Sequence, residues 1–154
     1  MAEQVSVTRE IDAPADKVWT MVSDVTRMGE WSPETESAAW VGGATGPQAG
    51  AKFRGINRNG TKQWKTVATV VDTEPGRRFS FRITVGPLKI AEWRYAFEPT
   101  PTGCRVTETW VDERGRLMPV LGKLVSGVAD RASHNRAGME QTLERLKTAA
   151  ESRA

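Results

Sequence analysis

The sequence predicts an α+β protein: a curved antiparallel sheet of six to seven strands, two short helices near its start, and one long C-terminal helix laid across it. Three observations carry this expectation. Strand-like segments fill most of the first 111 positions. Turn signals at Asn59-Gly60, Pro75-Gly76, Gly86-Pro87 and 99–103 separate them at short intervals, as hairpin connections do. Over 119–150, Leu121, Leu124, Val125, Val128, Ala132, Asn135, Met139, Leu143 and Leu146 recur at three- and four-residue steps. That is the period of a helix with one buried face, about 45 Å long at about 1.5 Å per residue. A lone helix on such a sheet leaves room for a cavity between the two.

Residues 5–11 alternate apolar and polar, which suits a half-buried first strand. Pro14 then suits the start of a helix over 15–23, with Asp16 near its positive end and Val18, Trp19 and Val22 on one face. A helical turn over 25–29 follows, and Trp31-Ser32-Pro33 turns the chain. A weak strand over 37–41 leads into the glycine-rich loop 42–47. The runs 51–58 and 61–72 flank Asn59-Gly60, the sequence of a type I′ turn with positive φ at both central residues. Strands over 78–85, 89–97 and 104–111 complete an antiparallel meander. In two of them the inner face is legible. Phe79, Phe81, Ile83 and Val85 alternate with polar residues, as do Trp93, Tyr95 and Phe97, so the sheet is covered on one side only. The run 64–71 is ambiguous in register.

The 154 residues suit a single domain, with 38% hydrophobic and 27% charged residues. Six Trp against one Tyr is an unusual balance, suited either to core filling or to the wall of an organic-ligand pocket. One cysteine, Cys104, allows no internal disulfide and favours a reducing, cytoplasmic setting. No apolar run approaches a membrane span, and the N-terminus lacks the regions of a signal peptide. Net charge is +3, with basic residues interleaved among acids rather than gathered on a stripe, which argues against nucleic-acid binding.

One histidine, His134, cannot assemble a metal cluster or a Ser-His-Asp triad, so neither metal nor cofactor is expected. His134 is either an acid/base at the cavity or a partly exposed helix residue, and Cys104 suits a small core position better than a nucleophile. Arg131, one turn before Asn135, points better to solvent than to a cavity mouth. Asn135 continues the apolar series, so its amide either orients a ligand or bonds internally. Glu108 shares a face with Val106 and Trp110. Facing inward, it would sit in an apolar pocket that raises its pKa and suits proton transfer. Facing outward, it would pair with a surface base while Thr107 and Thr109 turned in. Asn57, with Phe53 and Gly55, is a further polar wall candidate. Trp64, Phe81, Trp93, Tyr95, Trp110 and Met139 are expected to form the apolar wall. The glycines at 42, 43 and 46 lack the Lys-Ser/Thr and the helix of a phosphate loop.

Ile11-Asp12-Ala13-Pro14-Ala15-Asp16-Lys17-Val18-Trp19 resembles the I-x-A-P-x-x-x-V-W opening of the bacterial polyketide cyclase/dehydrase family, within the START-like (SRPBCC, or Bet v 1-like) superfamily. The segment from Asp24 to Pro33 resembles the D-x-x-x-x-x-x-W-x-P phrase that follows there. Gly50-Ala51-Lys52-Phe53-Arg54-Gly55, Pro75-Gly76-Arg77-Arg78-Phe79, Gly103-Cys104-Arg105-Val106-Thr107-Glu108 and Thr142-Leu143-Glu144-Arg145-Leu146-Lys147 are similar to later phrases of the family, so the resemblance covers nearly the whole chain. It implies a helix-grip fold over 1–154. It leaves activity open, because the superfamily includes lipid carriers, hormone receptors, polyketide aromatases and cyclases, and co-chaperone-like members. The first expectation is a monomer or homodimer that binds a hydrophobic small molecule, oriented by Asn135, Glu108 and Asn57. The second is a cyclase-type enzyme using the same pocket, with Glu108 as acid/base. The third is an interaction module with a filled core, working through loop 42–50 and the stretch 114–122.

Overall fold

Strands β1 (Gln4–Ile11), β2 (Thr35–Val41), β3 (Lys52–Asn59), β4 (Lys62–Glu74), β5 (Arg78–Val85), β6 (Leu88–Thr100) and β7 (Gly103–Asp112) form one sheet in the computed structural model. It describes residues 3–114 and 130–152. The strands lie in the order β1-β7-β6-β5-β4-β3-β2, and every neighbouring pair is antiparallel. Six consecutive strands thus run as a meander, and β1 closes on the free edge of β7. Between β1 and β2 the chain forms α1 (Ala15–Ser23), a 3₁₀ turn (Val25–Arg27) and α2 (Met28–Trp31). Helix α3 (Arg131–Glu151) follows the sheet.

The two faces of the sheet divide as the alternation in β5 and β6 requires. Phe79, Phe81, Ala91, Phe97, Val106 and Trp110 are buried on the helix side. On the outer side Ser6 and Thr109 share a hydroxyl hydrogen bond of 2.8 Å, and Thr8 and Thr107 one of 3.0 Å. Arg82, Glu92, Arg94 and Glu113 form an ion network there, with Glu92 accepting from Arg94 Nε at 2.9 Å and Arg82 Nε donating to Glu113 at 2.9 Å. That hydrogen bond from Arg94 holds the Glu92 carboxyl below the usual carboxylate range. Val85 lies on the inner face with Ile83, against the cavity, but it is 52% exposed because β5 runs out past the core to its hairpin tip.

Two local expectations are corrected. Asn59 pairs with Lys62 across the β3–β4 hairpin, so the two-residue loop is Gly60-Thr61 rather than Asn59-Gly60. Only Gly60 has positive φ, +62°, which is the pattern of a type II′ connection with glycine first and not of type I′. The long helix also does not run unbroken from 119. Asp130, at φ −108° and ψ 89°, is its N-cap, and Asp130 Oδ1 accepts from the Ser133 amide at 3.2 Å. The 21-residue α3 is therefore about 32 Å long. Leu121, Leu124, Val125, Val128 and most of the stretch 114–122 lie outside the described residues.

Met139, Leu143, Leu146 and Ala150 form the buried stripe of α3. The helix packs chiefly along β1, and also touches β7, α1 and α2. It therefore covers one side of the sheet and leaves the inner face of β3 to β6 standing away from it. Among the described residues no helix is long and apolar enough to cross a membrane.

The turn into β7 meets the end of β1 closely. A Cβ on Gly103 would lie 2.1 Å from the Ile11 carbonyl oxygen and 2.7 Å from the Ala13 amide nitrogen. Both are backbone atoms that cannot swing aside. Gly103→Ala is expected to destabilise the fold by about 3 kcal/mol. Urea unfolding at fixed pH checks this, and a loss under about 0.5 kcal/mol, the ordinary surface range, would count against so tight a contact.

Candidate functional site

Strand register sets the wall of the cavity. Because directly paired residues share a face, the pairings Phe81↔Trp93, Trp93↔Trp110 and Val5↔Trp110 make one apolar row across four strands. The next row runs Phe79↔Tyr95, Tyr95↔Glu108 and Val7↔Glu108. A carboxyl group is thus inserted into a row otherwise built of Phe, Tyr and Val. On the far side of the sheet Asn57 pairs with Trp64, and Gly55 with Thr66. Asn57 Nδ2 donates to Thr66 Oγ1 at 3.1 Å. Opposite these strands α3 presents Asn135 and Met139, both buried.

Between the sheet and α3 lies a cavity of about 520 Å³. Asn57, Trp64, Phe81, Trp93, Tyr95, Glu108, Trp110, Asn135 and Met139 all line it. Three of the six Trp therefore face the cavity. Of the others, Trp31 is buried in the core, Trp40 packs edge-on against Phe53 at 5.6 Å, and Trp19 Nε1 donates to the Arg78 carbonyl at 2.8 Å. Cys104 is a fully buried core residue, and burial pushes its thiol pKa up.

Glu108 is 2% exposed. Tyr95 Oη donates to Glu108 Oε2 at 2.7 Å, while Oε1 is buried with no hydrogen-bond partner among the described residues. Burial lifts the Glu108 carboxyl to about 8, and the single bond from Tyr95 pulls only partly the other way. The group is therefore a neutral acid at pH 7. Burial likewise pushes the Tyr95 phenol well above its ordinary value.

The other polar cluster stands where α3 meets the segment before β2. Arg131 Nη1 donates to both oxygens of Glu34 at 2.9 Å, and His134 Nε2 lies 2.9 Å from Glu34 Oε2. Arg131 also donates to Asn135 Oδ1 at 3.3 Å and stands 5.9 Å over the Trp64 ring. Arg131 is thus turned into the cavity wall rather than out to solvent, because Glu34 reaches over to meet it. Glu34 and His134 also line a smaller outer depression of about 280 Å³, so the pair stands as a partition between the two spaces. Glu34 carries no signal in the sequence: it sits in a loop after Pro33, outside any periodic segment. Thr142, Ile83 and Ile90 also line the wall, without a signal in the sequence that marks them as site residues. Among the described residues no three His, Cys, Asp or Glu side chains gather as a metal site.

A seven-stranded sheet gripping one long helix around an aromatic-lined cavity is the helix-grip architecture of START-like proteins. The chain belongs to the family described as polyketide cyclase/dehydrase and lipid transport, whose pattern matches residues 2–151. It is similar to a Polyketide_cyc-like protein of Corynebacterium glutamicum, with 29% identity, a TM-score of 0.67, and 98% of this chain and 93% of that one covered. The di-domain ARO/CYC StfQ from the steffimycin biosynthetic pathway matches at 16% identity and a TM-score of 0.74. That match covers 98% of this chain and 51% of that one, which shows a shared fold. A protein from Chromobacterium violaceum shares it too, at 12% identity and a TM-score of 0.70, with 97% and 98% covered. No curated protein matches the chain.

A carboxyl whose pKa is raised on folding supports the fold fully only below its unfolded value of 4.5, and loses that support as pH rises to about 8. Over that window the cost of keeping Glu108 neutral grows at about 1.4 kcal/mol per pH unit, to about 3 kcal/mol at pH 7. Glu108→Gln, which cannot ionise, is expected to stand near wild type at pH 4.5 and to be more stable by about 2–3 kcal/mol at pH 7. Urea unfolding at the two pH values checks this, and an offset that does not change with pH would contradict it.

Proposed function

We propose that this protein binds a hydrophobic small molecule, lipid-like or of polyketide/aromatic type, in the cavity between the sheet and α3. The observation that carries the proposal is the cavity itself, about 520 Å³, whose surface is mainly apolar and includes Phe81, Trp93, Trp110 and Met139. That volume falls in the range of ordinary small-molecule sites. Burying about 200 Å² of apolar ligand surface there contributes roughly 5 kcal/mol before the cost of immobilising the ligand. Asn57, Asn135 and Glu108 supply orientation. The family's association with lipid transport and polyketide chemistry supports this class of ligand. A cavity of this size also speaks for a container over a module with a filled core. The protein would act in the cytoplasm, as a monomer or homodimer, with no nucleic-acid partner.

One observation favours a second reading, an enzyme of cyclase or aromatase type working in the same pocket. A buried carboxyl poised near neutrality suits a general acid or base, and Glu108 has that environment. In that case Glu108→Gln abolishes turnover and leaves ligand binding within about tenfold, or about 1.4 kcal/mol. Equal loss of both, or of neither, removes Glu108 from the chemistry.

Native mass spectrometry of the purified protein tests the container directly. The expected result is a non-covalent adduct, lost on denaturation, in the mass range of a lipid or polyketide. Substituting Trp93, half-buried in the wall, by Asp, which sets a charge there, is expected to remove that adduct while the fold persists by circular dichroism. An adduct unchanged in this variant would place the ligand elsewhere.

A further inference from the structure

The cavity wall holds one polar group that the fold leaves half satisfied. Tyr95 occupies Glu108 Oε2, and Oε1 has no partner among the described residues. Tyr95 lies directly across from Glu108 on β6, and the apolar Val7 lies directly across on β1. Val106 and Trp110 flank Glu108 along its own strand face. With a donor already on Oε2, an acid proton belongs on Oε1, where it is a buried hydrogen-bond donor with nothing to receive it. Such a group costs free energy until an acceptor arrives.

We propose that the neutral Glu108 side chain is a specificity-determining donor, in which the Oε1 hydroxyl donates a hydrogen bond to an acceptor oxygen of the bound molecule. The ligand class follows from this: an apolar, ring-sized molecule bearing a ketone, ester or quinone oxygen, in preference to the corresponding hydrocarbon. This rests on the ligand-binding reading above and sharpens it. Tyr95 is the positioning residue, because its hydroxyl reserves Oε2 and so fixes which oxygen carries the proton.

Other ionisable groups line the cavity and could imitate a pH effect. Glu34 lies before β2, Lys65 on β4, Arg114 after β7, and Arg131 and His134 on α3. Each is more exposed than Glu108, Arg114 is held by Asp112 at 2.8 Å, and Arg131 and His134 are held by Glu34. The acid form of Glu108 prevails below about 8 and gives way to the carboxylate above it. An acceptor oxygen is then repelled rather than bound.

The test compares 2-acetylnaphthalene with 2-isopropylnaphthalene, near-isosteric probes in which a carbonyl oxygen replaces a methyl group. Calorimetric titration gives the ratio of ketone to hydrocarbon affinity for each protein. At about pH 6.5 the ratio is expected to be about tenfold higher in wild type than in Glu108→Leu, the worth of one hydrogen bond. By about pH 9.5, above the Glu108 midpoint of about 8, that advantage is expected to vanish. Glu108→Gln, whose amide still donates but does not titrate, keeps the advantage at both pH values. Tyr95→Phe removes a bond that favours the ionised form, so the midpoint of the wild-type effect moves to higher pH. Equal ratios in wild type and Glu108→Leu would overturn the donor role while leaving the container standing. A pH dependence that survives in Glu108→Gln would assign the titration to another group and overturn it as well. Binding of neither probe to any of these proteins would sink the container, and this inference with it.

Discussion

A helix is about 10–12 Å wide, and strands lie about 4.8 Å apart, so one helix covers little more than two strands. The sheet here has seven. Helix α3 spends its buried stripe on β1 and the neighbouring edge, and no second long helix among the described residues covers β3 to β6. Those strands nevertheless carry Phe53, Trp64, Phe81 and Trp93 on the same face, which must keep away from water. The sheet is curved, and among the described residues the space between these strands and the helix is a cavity rather than packed core. The cavity is a geometric consequence of one helix meeting a wide sheet.

The electrostatics of the site follow from that geometry. A carboxyl group standing in a row of Phe79, Tyr95 and Val7 loses water on every side and receives only one hydrogen bond in return. Desolvation outweighs that bond, so the neutral form prevails at pH 7. The other polar cluster is built differently. Glu34 stays partly open to water and is met by Arg131 and His134, each at 2.9 Å, where α3 begins. The cavity therefore combines a dry wall that carries a buried acid with a hydrogen-bonded polar partition tied to the helix.

Legibility in the sequence tracked how sharply water distinguishes the two sides of each element. The alternations of β5 and β6 could be read because their outer residues are Arg, Glu and Ser. In β7 both parities carry polar residues, and only pairing resolves them: Thr107 and Thr109 bond to Thr8 and Ser6 on β1, which turns Glu108 inward. The Tyr95–Glu108 contact depends on a hairpin register that no short-range pattern encodes. The start of α3 was hidden for the opposite reason. Asp130 and Ser133 form a good N-terminal cap, but the apolar period runs through them from the preceding residues and masks the break. Glu34 and the inward turn of Arg131 belong to a contact between residues 97 positions apart, one of them in a loop. Family phrases such as Ile11 to Trp19 carried the fold further than any single pattern, and they mark packing and turns rather than chemistry.

The cavity is dry enough to hold a carboxylic acid uncharged at neutral pH. Carbon-13 NMR of protein labelled at the glutamate side-chain carboxyl carbon tests it most directly, with the Glu108 resonance assigned by its absence in Glu108→Gln. One resonance that titrates with a midpoint of about 8 is expected. A midpoint for Glu108 near the ordinary 4.5 would mean that water reaches the wall, and would contradict both the dry cavity and the donor built on it.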